Sequence, residues 1–408
     1  MLKTAKLNNY TVVHGWGDRM SKRVLIVFIL LGLVSLTADI VYEGARSVGG
    51  AYVKELEGPP VASAIASAGD FLGYGLRFAS AAIASYLASS ATFWGFTALG
   101  YAITATAIPL LSYAGSWQTA TALYLAERVG KGLRAPVRDV ILAEVSEGIG
   151  RGKGFGIHEL MDQLGAVAGP LLVAATISLY GFKAAFLVLL APGVASIALV
   201  IVTALLYPRL KSVELSKPKI SFRGLGRGFY IFILATVFLS LGYVHWMNIS
   251  YFLKHWNALR DAEIALAYTV AMLTDAIVAV PIGALYDKVK FKALYLAPVT
   301  ALLATLPFVY TPSIASLGGV ALRAAVYTMA GLWGITMGCF ETIMRASIAD
   351  ILPPEKRAIG YGVYGLVYGV TWTLGSFSYA YILTVSQHIA IVYAISTLIL
   401  SAILISRI

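Results

Sequence analysis

The chain is a succession of long apolar runs, interrupted at short intervals by polar or glycine- and proline-containing turns. A mostly apolar run of about 20 residues is long enough to cross the hydrocarbon core of a bilayer as an α-helix. On that criterion the pattern predicts twelve spans, at 23–46, 59–85, 93–113, 117–145, 154–180, 183–207, 228–254, 262–286, 293–311, 316–350, 357–384 and 387–406. Several exceed the minimum, which permits tilt or protrusion into water. The polar, basic stretch 1–23 leads straight into a full-length span, so no cleavable leader is expected.

Composition agrees with lipid as the solvent. Hydrophobic residues make up 59% of the 408 and charged residues 12%, with a mean hydropathy of +0.80. A soluble domain carries about 25% charged residues, so this chain lacks the material for a water-facing surface. The net charge of +11 would suggest a nucleic-acid partner in a soluble protein. Here the basic residues sit at span ends, so no nucleic acid is expected. The single cysteine, Cys339, excludes an internal disulfide.

Lysine and arginine placement sets the orientation. One side receives Lys3, Lys6, Arg19, Lys22 and Arg23, the loop 208–227 with Arg209, Lys211, Lys217, Lys219, Arg223 and Arg227, and also Arg151, Lys153, Lys288, Lys290, Lys292, Lys356, Arg357 and Arg407. The other side holds Arg46, Lys54, Lys183, Lys254 and Arg260. The positive-inside rule therefore places both termini in the cytoplasm of a cell-membrane protein, which requires an even number of spans. The loop 208–227 reads as a cytoplasmic linker between halves at 1–207 and 228–408. A shift of 206 aligns Ala143-Glu144 with Ala349-Asp350 and Gly169 with Gly375, while a shift of 205 aligns Asp70 with Asp275 and Ser35 with Ser240. Such a half-chain repeat is the plan of transporters built from two parallel bundles.

Charge inside the spans changes the picture from a membrane protein to a pathway. A charge in hydrocarbon costs at least about 2.5–3.5 kcal/mol, so it must be paired or face water. The intramembrane charges fall on helical stripes at i, i+4 and i+7 spacing: Ser35, Asp39, Tyr42 and Arg46, with Glu43 beside them, on span 1; Asp70, Tyr74 and Arg77 on span 2; Glu127, Lys131, Arg134 and Arg138, with Arg128, on span 4; His158 and Asp162, flanked by Glu159 and Gln163, on span 5; Glu341 and Arg345 on span 10. Asp39 and Glu43, like charges one turn apart, suit proton exchange, and Arg128 with Lys131 suits a substrate anion. Each stripe also has a plain reading as structural ion pairs between helices. For His158 an ordinary hydrogen-bonded histidine is the simpler reading. On span 11, Tyr361, Tyr364, Tyr368 and Tyr379 form one face and Gly362, Gly365 and Gly369 another, the latter suited to close helix packing.

Three local motifs make the chain resemble the major facilitator superfamily across essentially its whole length. The loop after the second span of the second half reads Gly283-x-x-x-Asp287-Lys288, where that family has G-x-x-x-D-[R/K]. The equivalent first-half loop, 86–93, has no charge at all. Arg128-x-x-x-Gly132 matches the family's R-x-x-x-G on the fourth helix, and Gly165-x-x-x-Gly169-Pro170 matches the start of its fifth-helix antiporter motif, whose later glycines are replaced here by Val173 and Ala174. The resemblance implies an all-α membrane fold of twelve helices in two pseudo-symmetric six-helix bundles. It also implies a proton-coupling role for Arg128, gating or packing roles for Gly165, Gly169, Pro170, Gly283, Asp287 and Lys288, and transport tilted toward efflux. The run Asp39-Ile-Val-Tyr-Glu43-Gly-Ala-Arg46 is similar to a little-characterised branch of the family.

The function expected is secondary active transport of a small organic solute by alternating access, coupled to protons, by a monomer whose other partner is the bilayer. Proton-coupled uptake of an organic anion, or a sensor that keeps the fold, are the competing readings. An intramembrane enzyme is disfavoured: His158-Glu159-x-x-Asp162 has aspartate where a zinc-protease helix needs its second histidine, and the glycines of 148–156 fit neither a P-loop nor a dinucleotide fingerprint. No metal and no cofactor is expected.

Overall fold

The computed structural model describes residues 22–210 and 224–408. The expected linker 208–227 is thus described only at its edges, and Lys3, Lys6, Arg19, Lys211, Lys217, Lys219 and Arg223 lie outside the described residues. Among those described, the structure is helical throughout, with no strand. In the first half the α-helices are α1 (Lys22–Ser47), α2 (Gly49–Glu55), α3 (Pro60–Ser67), α4 (Gly69–Leu87), α5 (Ser90–Leu110), α6 (Trp117–Val145), α7 (Arg151–Leu187) and α8 (Leu190–Leu206). In the second they are α9 (Gly226–Gly242), α10 (Trp246–His255), α11 (Asp261–Val289), α12 (Leu296–Val309), α13 (Thr311–Ala315), α14 (Gly319–Glu341), α15 (Ile343–Ile351), α16 (Pro354–Val385) and α17 (Gln387–Ile405).

These helices form twelve spans, several of them broken. Span 1 is α1 and α2, broken at Val48; span 2 is α3 and α4, broken at Ala68; span 7 is α9 and α10, broken at 243–245; span 10 is α14 and α15, broken at Thr342. Gly181, with φ 74° and ψ −176°, divides α7 between spans 5 and 6. Only glycine adopts that backbone without strain. Long apolar segments at Lys22–Ser47, Ser90–Tyr113, Lys153–Leu206, Gly226–His255, Asp261–Val309, Gly319–Ile351 and Gln387–Ile405 cover nine of the twelve spans. The remaining three, spans 2, 4 and 11, fall short of that hydropathy because they carry Asp70, Arg77 and the basic row of α6, or the glycines and tyrosines of α16. A helix this polar is stable in a membrane only when its polar face is turned inward.

One end of the bundle, here the near end, gathers the start of α1, the end of α8 and the start of α5: Arg23 Nε donates to the Leu206 carbonyl at 2.5 Å, Trp94 Nε1 to the Tyr207 carbonyl at 2.9 Å, and the Leu210 amide to Ser90 Oγ at 2.9 Å. At the opposite, far end, spans 1 and 7 finish alike. Glu57 and Asn257 both take positive φ, 58° and 51°. The amides after them, Gly58 and Ala258, each return at 2.9 Å to the carbonyls of Val53 and Leu253. These matched caps are local signatures of the pseudo-symmetry.

Small residues set how closely the helices approach. A Cβ on Gly165 would lie 2.5 Å from the Leu36 carbonyl oxygen, and one on Gly169 would lie 2.8 Å from the Gly44 nitrogen and collide with the Ile40 carbonyl. The fifth-helix motif is therefore the contact between α7 and α1. Gly375 repeats it in the second half, where a Cβ would lie 2.7 Å from the Leu241 carbonyl oxygen. On α16, Gly365 and Gly369 receive the ring of Tyr74 from α4, while Gly362 has open space around it. Backbone approach through small residues is the usual basis of helix association in lipid.

The packing reading yields a direct contrast. Gly169→Leu overpacks a contact with no slack and is expected to cost about 1–3 kcal/mol, seen as a lowered unfolding temperature in detergent. Gly283→Ala, at a position with nothing within 4 Å, is expected to leave that temperature unchanged or slightly raised. Equal losses at both positions would contradict the packing role.

Candidate functional site

The polar stripes predicted from sequence converge on one cavity of about 1060 Å³ between the two bundles. Its wall takes Asp39, Tyr42, Glu43 and Arg46 from α1, Asp70 and Arg77 from α4, Arg128, Lys131, Arg134 and Arg138 from α6, and Glu159 and Asp162 from α7. The second half contributes Tyr268 and Asp275 from α11, Glu341 from α14, Arg345 from α15, and Tyr364, Tyr368 and Trp372 from α16. The cavity extends to Ser85 and Ile359, close to the near ends of their helices. No lining residue comes from the far ends.

Asp70 is the best-connected group at the cavity's deep end. It accepts from Arg46 at 3.1 Å and His245 at 2.9 Å, and pairs with Arg128 at 3.4 Å. Arg128 also pairs with Glu127 at 3.0 Å, and Arg46 lies 3.9 Å from Glu43, whose carboxylate takes a short hydrogen bond from the Tyr268 hydroxyl. His245 shows why span 7 breaks where it does. Its Nδ1 accepts the Met247 amide at 3.0 Å and so caps α10. That leaves the ring proton on Nε2, aimed at Asp70. One carboxylate thus ties spans 1, 2 and 4 of the first half to span 7 of the second.

Around this tie the far end is sealed by contacts between halves. Trp246 Nε1 donates to the Ser47 carbonyl at 2.9 Å and Tyr251 to the Gly58 carbonyl at 2.8 Å. The Gly50 amide donates to Ser250 Oγ at 3.0 Å, with the Met247 carbonyl too close to admit any side chain at position 50. Asn248 accepts from Ser63 at 3.2 Å and from Ser376 at 2.8 Å. Farther out, Lys254 bridges Glu55 at 2.7 Å and Asp261 at 2.8 Å.

The other sequence-predicted residues divide into paired and unpaired groups. Arg138 pairs with Asp139 at 2.8 Å and Asp162 at 3.8 Å, and donates to Ser35 at 3.0 Å. His158 bonds Ser35 at 2.9 Å, as the simpler reading of that histidine expects. Lys131 donates to the Tyr42 hydroxyl at 2.8 Å and sits 4.0 Å over its ring centre. Arg134 donates to Thr104 at 2.7 Å and lies over the Tyr101 ring. Arg77 lies over Tyr74. Asp39 lines the cavity with no ion pair to any described residue. Glu43, one turn from Asp39, is in addition held by Arg46 and Tyr268. Arg128 is likewise engaged by two carboxylates and not offered to an incoming anion. The Gly283, Asp287 and Lys288 motif lies apart from the cavity at the near end, where the contacts on Asp350 come instead from Tyr286 at 3.1 Å and Lys290 at 3.3 Å. From the sequence His245 and Asn248 on span 7 are only weaker candidates of the same sort as His158, and Asp275 is marked only by its half-chain match to Asp70.

Comparison with known proteins places this architecture. The family model described as Major Facilitator Superfamily matches residues 47–376. An uncharacterized protein of Mycobacterium tuberculosis strain H37Rv is 33% identical over 344 residues, covering 82% of this chain and 81% of that protein. An uncharacterized MFS-type transporter of Methanocaldococcus jannaschii is 26% identical over 319 residues, 76% of this chain and 77% of that one. Among solved structures, the nucleoside transporter NupG superposes with a TM-score of 0.70 at 11% identity, covering 93% of this chain and 98% of its own; at that identity the likeness shows the fold alone.

Removing one partner of a buried pair costs about 3–5 kcal/mol because the other charge is stranded. Asp70→Asn is therefore expected to loosen the far end. In a Cys339→Ala background, a cysteine probe introduced by Met247→Cys should react with a membrane-impermeant maleimide at least tenfold faster once Asp70→Asn is added. An unchanged rate would show that Asp70 does not hold the seal.

Proposed function

Because the chain belongs to the Major Facilitator Superfamily and is a membrane transporter rather than an enzyme, we propose that it moves a small organic solute by alternating access, coupled to protons and working in the direction of efflux. The observation that carries this reading is the charged cavity between the two bundles, closed at the far end by paired contacts and extending toward the near end. A cavity of this size holds a metabolite-sized solute. The far-end contacts between the halves include separable hydrogen bonds and two ion ties, Asp70 with His245 and Glu55 with Lys254, so a second arrangement with the far end open is accessible to rocking of one half on the other.

In this reading the near end is the cytoplasmic one in the cell membrane, with both termini there, and the protein works as a monomer. The halves are 1–207 and 228–408, joined by the linker 208–227. Asp39 is the proton carrier on the first-half wall: it is 6% exposed, faces the cavity and has no ion pair, whereas Glu43 and Asp162 are held by arginines. Gly283, Asp287 and Lys288 stand where the near end must close. The antiporter-type contact at Gly165, Gly169 and Pro170 supports efflux. Proton-coupled uptake of an organic anion is the second reading, favoured by Lys131 and Arg134, which face the first-half wall without a carboxylate partner.

Flux in proteoliposomes tests the proposal. With an imposed pH gradient, a solute from a metabolite panel should move against its own gradient. Asp39→Asn should abolish that pH-driven movement while leaving solute exchange within about threefold of the parent. Flux that ignores both the pH gradient and Asp39 contradicts coupling, and a panel in which nothing moves contradicts transport.

A further inference from the structure

The charges of the cavity are not spread evenly between its walls. On the first-half wall most carboxylates are already answered: Asp70 by Arg46, Arg128 and His245; Glu43 by Arg46; Asp162 and Asp139 by Arg138. On the second-half wall they are not. Asp275 is 3% exposed and has no ion pair with any described residue. Glu341, on the adjacent helix, has none either. Arg345, one turn beyond Glu341, lies beyond ion-pair distance of it. Across from them stands a third carboxylate, Glu159, and Gln163 donates its amide to Glu159 at 3.5 Å. The carbonyl oxygen of Gln163 is buried with no hydrogen-bond partner. The cluster thus gathers three carboxylates and an unpartnered amide oxygen, with Arg345 and Lys131 facing it beyond ion-pair distance.

The pseudo-symmetry sharpens the contrast. Asp275 stands half a chain from Asp70, at the matching place on span 8. Asp70 has three cationic or N–H partners and ties the halves together. Among the described residues, Asp275 has one donor beside it, the Gln163 amide. Gly338 of α14 packs directly against it, where a Cβ would lie 3.0 Å from Oδ1. Tyr268, Met272 and Asp275 share one face of α11 at i, i+4 and i+7, and all three line the cavity. Trp372 and Tyr368, stacked at 5.1 Å, continue that wall. Carboxylates beside aromatic faces and thioethers are the surroundings that favour an organic cation. An ammonium group brings up to three N–H donors, which suits a site that lacks them.

We propose that the solute carries a protonated amine, received by Asp275 and Glu341 on the second-half wall of the cavity. This rests on the transporter reading and names the class of its substrate. Arg46, Arg128 and Arg138 then serve to hold carboxylates of their own wall, and among the described residues that line the cavity an anionic solute has no second-half cation except Arg345.

The test reads binding alone, so it can fail or succeed independently of flux. Purified protein in detergent is heated with matched probes that share one ring and differ in charge: tyramine as the amine, tyrosine as the zwitterion, 3-(4-hydroxyphenyl)propionate as the anion, together with a panel of aliphatic and aromatic amines and their N-acetylated forms. At least one amine is expected to raise the unfolding temperature by several degrees at millimolar concentration, while its N-acetylated form does not. Asp275→Asn and Glu341→Gln should each weaken that amine's apparent affinity at least tenfold, and Asp275→Glu should recover part of it. Lys183→Gln, outside the cavity, should leave it within about threefold. If Asp275→Asn does not fold, the Glu341→Gln result decides. Stabilisation by anions alone, by none of the amines, or by amines with undiminished affinity in both carboxamide variants overturns the proposal. Amine binding retained by a protein that moves no solute would uphold it and count against transport.

Discussion

Asp70 is a carboxylate at the depth of the hydrocarbon, and a charge there persists only if the protein answers it. Arg46, Arg128 and His245 do so, and much of the architecture follows from that requirement. Arg46 fixes the rotation of α1, which presents Asp39 and Tyr42 to the cavity. Arg128 fixes α6 and also pairs with Glu127, a second buried acid. His245 can reach Asp70 only because span 7 is interrupted at 243–245. The same interruption starts α10, which packs against α2 to close the far end. The tie therefore joins the electrostatics of the site to the closure of the molecule.

A seal made this way is strong but divisible. The far-end contacts between the halves include directional hydrogen bonds onto backbone carbonyls and a few side chains, with the glycines at 49 and 50 allowing close approach. Rigid bundles meeting across such a surface can exchange it for contacts at the other end at modest net cost, which alternating access requires. The contrast between Asp70 and Asp275 gives that exchange a chemical sense: one matched acid is satisfied by the protein, and its counterpart is left for what passes through.

The fold was legible because its determinants are local. Apolar length set the spans, Lys and Arg placement their parity, and half-chain matches such as Gly169 with Gly375 proved to be the same packing contact made twice. The stripes on α1, α4, α6 and α7 were legible for a similar reason, since helical spacing alone puts Asp39, Asp70, Lys131 and Asp162 on inward faces. Pairing was not legible. His245 meets Asp70 across 175 residues of chain, and no spacing rule links them. Glu43 shares a stripe with Asp39 and Arg46, yet nothing in the sequence shows that Tyr268 of the other half binds it. Helix breaks at Ala68 and Thr342 also left no clear mark, because each falls inside an unbroken apolar or mixed run where tertiary contact decides, and α2 lies wholly beyond the predicted end of span 1 at 46.

The account centres on two bundles that rock about this cavity, and distance measurement between spin labels tests it most directly. Labels at Glu57 and Asn257 report the far end, and labels at Ala88 and Lys292 report the near end; all four positions are exposed. Across a pH series in lipid nanodiscs, the account predicts two populations in each pair, with the far-end distance lengthening as the near-end distance shortens. Single, unchanging distances at both ends under every condition would contradict it.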